Sequence, residues 1–446
     1  MISVVRPVTK PSQSKGTINA VYSLPASPET TSPGTLPHAF YGLLGVQFVS
    51  TLADNAFLIV AIARVVELTD SDWRIPLLKI AFTVFYVVLA PLVGPASDAF
   101  RKGRVMVVAN AFKACAMLLL LAGTDPLWVI AIAGWGAAVY APAKYGLMTE
   151  LMPPADLVRA NGFFEGITVC AVILGTVVGG LLVSPLMPAL AWPGTMQWSS
   201  ATPTLLTAGM LVLVALNILA TVLSAGIGDS GARYTSHSSH PVVLVQKFWR
   251  ENLLLWRDRQ GGVSMAVTTI LWGVGATLQL IVLRWSQEFL GLSLDHGAYL
   301  QGVTAVGVVA GAIIASRTVP LARAARVLPL GIALGLMIPV LLLVDSVALA
   351  ALLLVLVGGM AGFFVVPMNA LLQHRGYTLL TAGRSVAVQG FNENAGMLLM
   401  LAVYAAAIGW KLPLKALILA FSVLVAVGMA LIYGWYLRSS VVRKRA

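Results

Sequence analysis

Apolar runs of about 20 residues recur along the whole chain, and no other feature narrows its fold so far. Each is long enough to cross a hydrocarbon core of roughly 30 Å as a helix. About twelve are found, centred near residues 52, 86, 113, 138, 172, 215, 275, 308, 335, 360, 396 and 425. Backbone inside lipid must satisfy its own hydrogen bonds, which leaves helices or a closed barrel, and these runs lack the alternation of barrel strands. Hydrophobic residues make up 59% of the 446 positions and charged residues 10%, too little charge to cover a soluble surface. The sequence predicts an all-α membrane protein with about twelve transmembrane helices.

The net charge of +12 points to topology rather than to nucleic acid, because of where it sits. Lys and Arg cluster in alternate connections: Arg101, Lys102 and Arg104; Arg233 through Arg259; Arg317, Arg323 and Arg326; Arg375 and Arg384; Arg438 and Arg443 to Arg445. The other connections hold few cations, mainly Arg74, Lys411 and Lys415, among the acids Asp70, Asp72, Asp125, Glu288, Asp295 and Asp345. The positive-inside rule then places both termini in the cytoplasm, and an even helix count agrees.

Five segments are expected. Residues 1–37, rich in Pro, Ser and Thr and without a signal-peptide core, read as a disordered cytoplasmic tail. Residues 38–227 form a six-helix N-terminal half, and 228–260 a cytoplasmic loop. In that loop "QKFWRENLLLWRDRQ" mixes Phe248, Trp249 and Trp256 with basic residues and reads as an interfacial helix facing membrane lipids. A regulatory partner is the other occupant such a surface allows. Residues 261–437 form the C-terminal half and 438–446 a basic cytoplasmic tail. Cys115 and Cys170 fall in predicted helices, so neither a disulfide nor a metal site is indicated. His237 and His240 have ligand-like spacing but no further ligands nearby.

An internal repeat relates the halves. "NGFFEG" (Asn161–Gly166) in the fifth helix returns as "QGFNEN" (Gln389–Asn394) in the eleventh. Each sets an amide one helical turn before a glutamate: Asn161 with Glu165, Gln389 with Glu393. Upstream, "PAKYGLM" from Pro142 matches "PMNALLQ" from Pro367 and pairs Lys144 with Asn369. Asp54 stands 88 residues before Pro142, and the same step before Pro367 reaches Gln279.

Six ionisable groups fall at membrane depth: Asp54, Lys113, Lys144, Glu165, Arg284 and Glu393. Each costs a few kcal/mol there unless it faces a polar interior. Lys113 and Arg284 are near enough to helix ends to snorkel. Asp54, Lys144, Glu165 and Glu393, with Asn55, Tyr140, Asn161, Gln279, Asn369, Gln389 and Asn392, are the candidates for a central substrate cavity. Interhelical pairing that only holds the bundle is the alternative. The loop "GPASDAFRKGRV" (Gly94–Val105) supplies Asp98, able to cap a neighbouring helix, and Arg101 and Arg104 as anchors. These three, with Arg284, are the gating candidates. "GTVVGG" (Gly175–Gly180) predicts close helix packing. No phosphate-binding loop, H-E-x-x-H or G-x-S-x-G occurs, so no catalytic residue, cofactor or ATPase is expected.

The Gly94–Val105 loop, two residues longer than usual between Asp98 and Gly103, resembles the signature of the major facilitator superfamily. The parallel six-helix halves are that superfamily's architecture, with a substrate site between them. "QFVSTLADNA", "YAPAKYGL", "LVRANGFFEG", "GFFVVPMNALLQHRG" and "AVQGFNENAGMLLML" further resemble the LplT family of bacterial lysophospholipid transporters, from about Gln47 to Leu437. The resemblance implies a flippase carrying lysophosphatidylethanolamine and lysophosphatidylglycerol from the outer to the inner leaflet of the bacterial inner membrane, where an acyltransferase/acyl-ACP synthetase re-acylates them. A headgroup phosphate would favour Lys144, and an ammonium Asp54, Glu165 or Glu393. In that family the position of Gln279 carries an Arg facing the acid of helix 1. Here the nearest cation, Arg284, lies about 140° further round the helix. Lys144 is therefore the first candidate partner of Asp54, and Arg284 the second. A proton-coupled exporter of amphipathic molecules and a polytopic scaffold are the competing readings.

Overall fold

The computed structural model describes residues 36–68, 74–183, 204–232, 234, 240–292 and 294–445. Most of the N-terminal tail and His237 lie outside them. The first half comprises α1 (His38–Leu68), α2 (Arg74–Val88), α3 (Ala90–Ala99), α4 (Lys102–Leu121), α5 (Pro126–Leu151), α6 (Leu157–Leu182) and α7 (Thr204–Ala225). Then come α8 (Pro241–Arg257), α9 (Arg259–Leu290), α10 (Leu294–Thr318), α11 (Leu328–Met337), α12 (Val347–Leu379), α13 (Ala382–Gly409) and α14 (Leu414–Arg445).

Among the described residues these helices supply ten or eleven membrane spans, where the apolar runs predict about twelve. Ten spans are long and apolar enough to cross a membrane by themselves, one of them being α11 with its flanking 3-10 turns (Leu321–Leu343). An eleventh is α2 with α3, bent by 63° between them. Pro91 sits in the first turn of α3, where its ring excludes the hydrogen bond that would continue α2. The difference is α7, whose apolar stretch Gly209–Ala225 falls short of a full span among the described residues. The α1 start, the α14 end and the arginine-rich turns share one face, called here the basic face; the opposite one is the far face.

Packing shows how the halves meet. One apolar cluster (Phe57, Met117, Ile130, Leu213 and neighbours) stays within the first half, and another (Trp285, Phe364, Ile418 and neighbours) within the second. Two clusters cross. Leu147, Met148 and Phe164 pack with Ala312, Ala315, Val366 and Ala370, while Ala90 packs with Leu372, Leu380 and Val388. Both crossings lie toward the basic face, so the halves are joined there. Within the first half, Gly175 lets α6 press on α1: a Cβ there would stand 2.5 Å from the Leu52 carbonyl oxygen, as the small-residue run anticipates.

The helix α8 is amphipathic and lies across the basic face. Phe248, Asn252 and Leu255 are buried against the bundle, while Trp249, Leu253 and Leu254 stay exposed. Phe248 and Trp249 stack edge-on with Phe391 of α13.

Candidate functional site

The polar core of the first half starts at Asp54. Its partner is Lys113 of α4, not Lys144 or Arg284: Lys113 Nζ donates to both Asp54 carboxylate oxygens, at 2.8 and 2.9 Å, and to Ser50 Oγ at 2.6 Å. Lys113 does not snorkel. It lies midway along α4 and its side chain is wholly buried. Ser50 Oγ in turn donates to Asn110 Oδ1 (3.0 Å), and Asn110 Nδ2 to Ser224 Oγ of α7 (3.1 Å). This ladder ties α1, α4 and α7 together and satisfies a buried charge with a counter-charge and a hydroxyl. Asn55 faces away from it; its amide donates to the Thr51 carbonyl oxygen and its Cβ packs toward Gly175.

Lys144 of α5 is held differently. Its Nζ donates to Gln47 Oε1 at 3.0 Å, and Gln47 Nε2 donates to Thr168 Oγ1 at 2.9 Å. Around the ammonium stand the rings of Tyr145, Tyr140 and Phe164, at 4.8, 5.2 and 5.8 Å to their centroids. Tyr140 also faces Lys113 at 5.2 Å, so one ring separates the two cations. Among the described residues no carboxylate comes within 4.0 Å of Lys144; Glu165 and Asp54 act on it from further off. Cation–π contacts and one neutral hydrogen bond position the charge without cancelling it.

The facing wall comes from the second half. Gln389 Nε2 donates to Glu393 Oε1 (2.8 Å) and, more weakly, to Asn369 Oδ1 (3.4 Å). Thr268 and Trp272 of α9 flank Glu393, and the Glu165 carboxyl lies within electrostatic reach of it. Higher on α9, Gln279 Nε2 donates to Gln301 Oε1 of α10 at 2.9 Å. Gln279 is exposed, and no ion pair joins the halves at its level among the described residues.

Two candidates belong elsewhere. Asn161 and Gln373 form a reciprocal amide pair between the halves, at 2.8 and 3.1 Å; Asn161 is thus part of the junction near the basic face rather than of the cavity wall. Asn392 accepts from Trp256 Nε1 (3.0 Å) and donates to Asn252 Oδ1 (2.9 Å), which commits it to α8.

That junction centres on Asp98. Its carboxylate accepts from the backbone N–H of Gly383 (2.8 Å) and Arg384 (3.3 Å) and from the Thr381 hydroxyl. It therefore caps α13 of the other half, where the helix dipole favours an anion. The approach depends on glycine: a Cβ at Gly383 would meet an Asp98 oxygen and the Gly94 carbonyl oxygen, both at 2.7 Å. Lys102, which the sequence presents as ordinary loop charge, is buried between Asp98 (3.5 Å) and Glu150 (2.6 Å). Glu150 also accepts from Ser230 Oγ (2.5 Å) and the Tyr234 hydroxyl (2.7 Å). Burial, then the Glu150 carboxylate, push the Tyr234 phenol up, so it remains a donor. Arg101 pairs with Asp229 at 3.1 Å, Arg104 is exposed, and Arg384 also reaches Glu251 of α8 at 2.8 Å. Arg284 stands apart near the far face, paired with Glu288 one turn on.

Comparison with known proteins bears on this arrangement. Residues 43–378 match the profile of the Major Facilitator Superfamily. Over 383 residues, 85% of this chain and 89% of the relative, the chain is 36% identical to the lysophospholipid transporter LplT of Yersinia pestis (strain Pestoides F). The same figures hold for LplT of Yersinia pseudotuberculosis serotype O:3 (strain YPIII). Among solved structures, the transporter FucP in the outward conformation aligns with TM-score 0.68 at 15% identity, over 89% of this chain and 97% of that one. The human organic anion transporter MFSD10 aligns at 0.65 and 15% identity, over 89% and 100%.

Proposed function

The chain belongs to the Major Facilitator Superfamily and, within it, to the LplT family of lysophospholipid transporters; from that premise we propose how and in which direction it works. It carries lysophosphatidylethanolamine and lysophosphatidylglycerol from the outer to the inner leaflet of a bacterial inner membrane. It does so by rocking its two halves, without ATP hydrolysis. The basic face is cytoplasmic, by the distribution of Lys and Arg. The halves then touch at the cytoplasmic end, which leaves the outer leaflet as the side from which substrate enters. A cytoplasmic-side acyltransferase/acyl-ACP synthetase removes the product by re-acylation.

One observation carries the substrate assignment. Of the two lysines in the polar core, Lys113 is neutralised by Asp54, whereas Lys144 is held by an amide and three aromatic rings. Lys144 is thus a positioned cation that lacks a close anion, which suits a headgroup phosphate. Glu393 of the second half and Glu165 of the first suit an ethanolamine ammonium. Asp54 is excluded from that role by its bond to Lys113.

The test follows labelled lysophosphatidylethanolamine into diacyl lipid in spheroplasts of a transporter-null strain carrying this chain. Conversion should rise above the null strain, and Lys144→Ala should abolish most of the gain at unchanged membrane abundance. Conversion no higher than in the null strain would refute the reading.

A further inference from the structure

Positive charge is scarce on the far face, yet part of it converges on one cavity. Lys411 and Lys415 are exceptions to the inward bias of this chain's cations, and with Arg284 they line a cavity of about 440 Å³. The other lining residues are Glu288, Phe289, Ile408, Leu412, Pro413 and Leu414. Glu288 pairs with Arg284, so three cations and one carboxylate leave two positive charges in excess. Lys415 lies over the Phe289 ring at 5.6 Å to its centroid.

Helix capping does not account for the lysines. The α13 terminus closes on its own backbone: Leu412 N–H donates to the Ala407 carbonyl and Lys411 N–H to that of Ile408. That is a Schellman turn, in which the residue after the cap takes a left-handed conformation and is usually glycine. Here it is Lys411, with φ of 55°, and no other described non-glycine residue has positive φ. The α9 terminus closes likewise through Gly291. The terminal carbonyls are served, and the ammonium groups are left to face the cavity. Part of the lining is apolar and open: Ile408 is 39% exposed and Leu412 41%, suited to an acyl chain. Trp410, their neighbour in sequence, is 78% exposed, as an aromatic side chain at a membrane interface is.

We propose that this cavity binds the phosphate headgroup of an outer-leaflet lysophospholipid, as a docking site separate from Lys144. This rests on the transport reading above. The cavity shares α9 and α13 with the central site: Arg284 lies twelve residues from Trp272, about 18 Å along the helix. An anion held here is therefore on the helices that lead to Glu393.

The experiment counts lipid bound to the full-length purified protein by native mass spectrometry, titrating lysophosphatidylglycerol or its soluble headgroup, glycerophosphoglycerol. Two lysophosphatidylglycerol molecules should bind. Lys411→Asn with Lys415→Gln, where Asn tolerates the left-handed backbone, should weaken one of them about tenfold, equivalent to about 1.4 kcal/mol. Lys144→Ala should weaken the other, and Lys411→Arg with Lys415→Arg, which keeps both charges of the outer cavity, should bind two as the unaltered protein does. Unchanged binding in the charge-removed variant would overturn the proposal, as would equal affinity for glycerophosphoglycerol, which would mark a site for soluble anions. Spheroplast uptake separates this idea from the one beneath it. Loss of the outer lipid with wild-type KM for uptake sinks the docking site alone. Two bound lipids with no uptake over the null strain sink the transport reading and leave the binding site standing.

Discussion

Asp54→Asn should damage this protein mainly through Lys113. The substitution keeps the side chain's shape and one acceptor but turns a donor toward an ammonium that has no exposure to solvent. Lys113 would keep Ser50, at 2.6 Å, and lose its counter-charge. Removing one partner of a buried ion pair costs roughly 3–5 kcal/mol. Lys113→Met orphans Asp54 instead, but its side chain is 21% exposed toward the cavity. Partial solvation should hold that cost to about 1–3 kcal/mol. The double variant carries no charge in similar volume and should return to within about 1 kcal/mol of wild type. The assay is a double-mutant cycle by thermal unfolding in detergent at pH 7. Asp54→Asn should melt lowest of the three variants. A double variant as damaged as Asp54→Asn, or a single variant melting like wild type, would refute the pairing argument.

Two further outcomes follow from the basic face. Gly383→Ala should part α3 from α13, because its methyl would stand 2.7 Å from Asp98 and Gly94 oxygens; overpacking of about 1–3 kcal/mol shifts a two-state equilibrium about 5–150-fold. Gln389→Cys, in a background with Cys115 and Cys170 replaced, should then label faster from the cytoplasmic side, and an unchanged rate would show that the halves are held elsewhere. The second concerns Asp258, which caps α9 at Gly261 N–H (2.8 Å) and pairs with Arg375 (2.6 Å). Burial pushes its carboxyl up, but hydrogen bonds from Arg375 and Gly261 and the Arg375 charge outweigh that and hold it below the ordinary value. Its contribution is then complete above about pH 4 and lost as pH falls through the lowered folded value. Hydrogen exchange at the α8–α9 corner, corrected for intrinsic rate, should stay flat from pH 8 to 5 and rise only below about pH 4; Asp258→Asn should remove that step, and protection already falling by pH 6 would contradict the assignment.

The lipid environment explains why so much of the fold was readable. Membrane-spanning backbone admits so few solutions that apolar length alone yields a polytopic helical bundle, and charge bias yields a sidedness. Tertiary neighbours are not written in that way. Lys113 looked able to snorkel because depth was judged from the end of an apolar run, whereas its environment is set by α5 and α7 packing on α4 and by Ser50 and Asp54 of α1. Asn161 shares a helix face with Glu165 but lies one turn nearer the basic face, where the halves touch, so depth rather than face separates their surroundings. Asn392 is adjacent to Glu393 in sequence and therefore about 100° away round the helix, toward α8. Lys102 carried no usable signal: α3 ends at Ala99 and α4 begins at Lys102, so its approach to Asp98 and Glu150 is set by the turn between two helices rather than by spacing along one.

These pairings bear on where the transport cycle meets resistance. In the family resemblance, an Arg at the Gln279 position would place a charge between the halves opposite the acid of helix 1. This chain instead satisfies Asp54 within its own half, and Gln279 bonds to Gln301 within the other. In the proposed rocking of the halves, the Asp54–Lys113 pair would travel as a unit within its own half. The charged link that would have to break lies at the basic face, where Asp98 holds the α13 N-terminus and pairs with Lys102, which Glu150 holds in turn. Opening there exposes two backbone N–H groups and a carboxylate to water, which replaces most of their lost hydrogen bonding. The barrier is therefore set by how Asp98 is gripped. Asp98→Asn should accelerate opening toward the cytoplasm, whereas neutralising Asp54 and Lys113 together should leave the rate of opening nearly unchanged. If the double variant opened as fast as Asp98→Asn, Asp54 would be part of the gate after all.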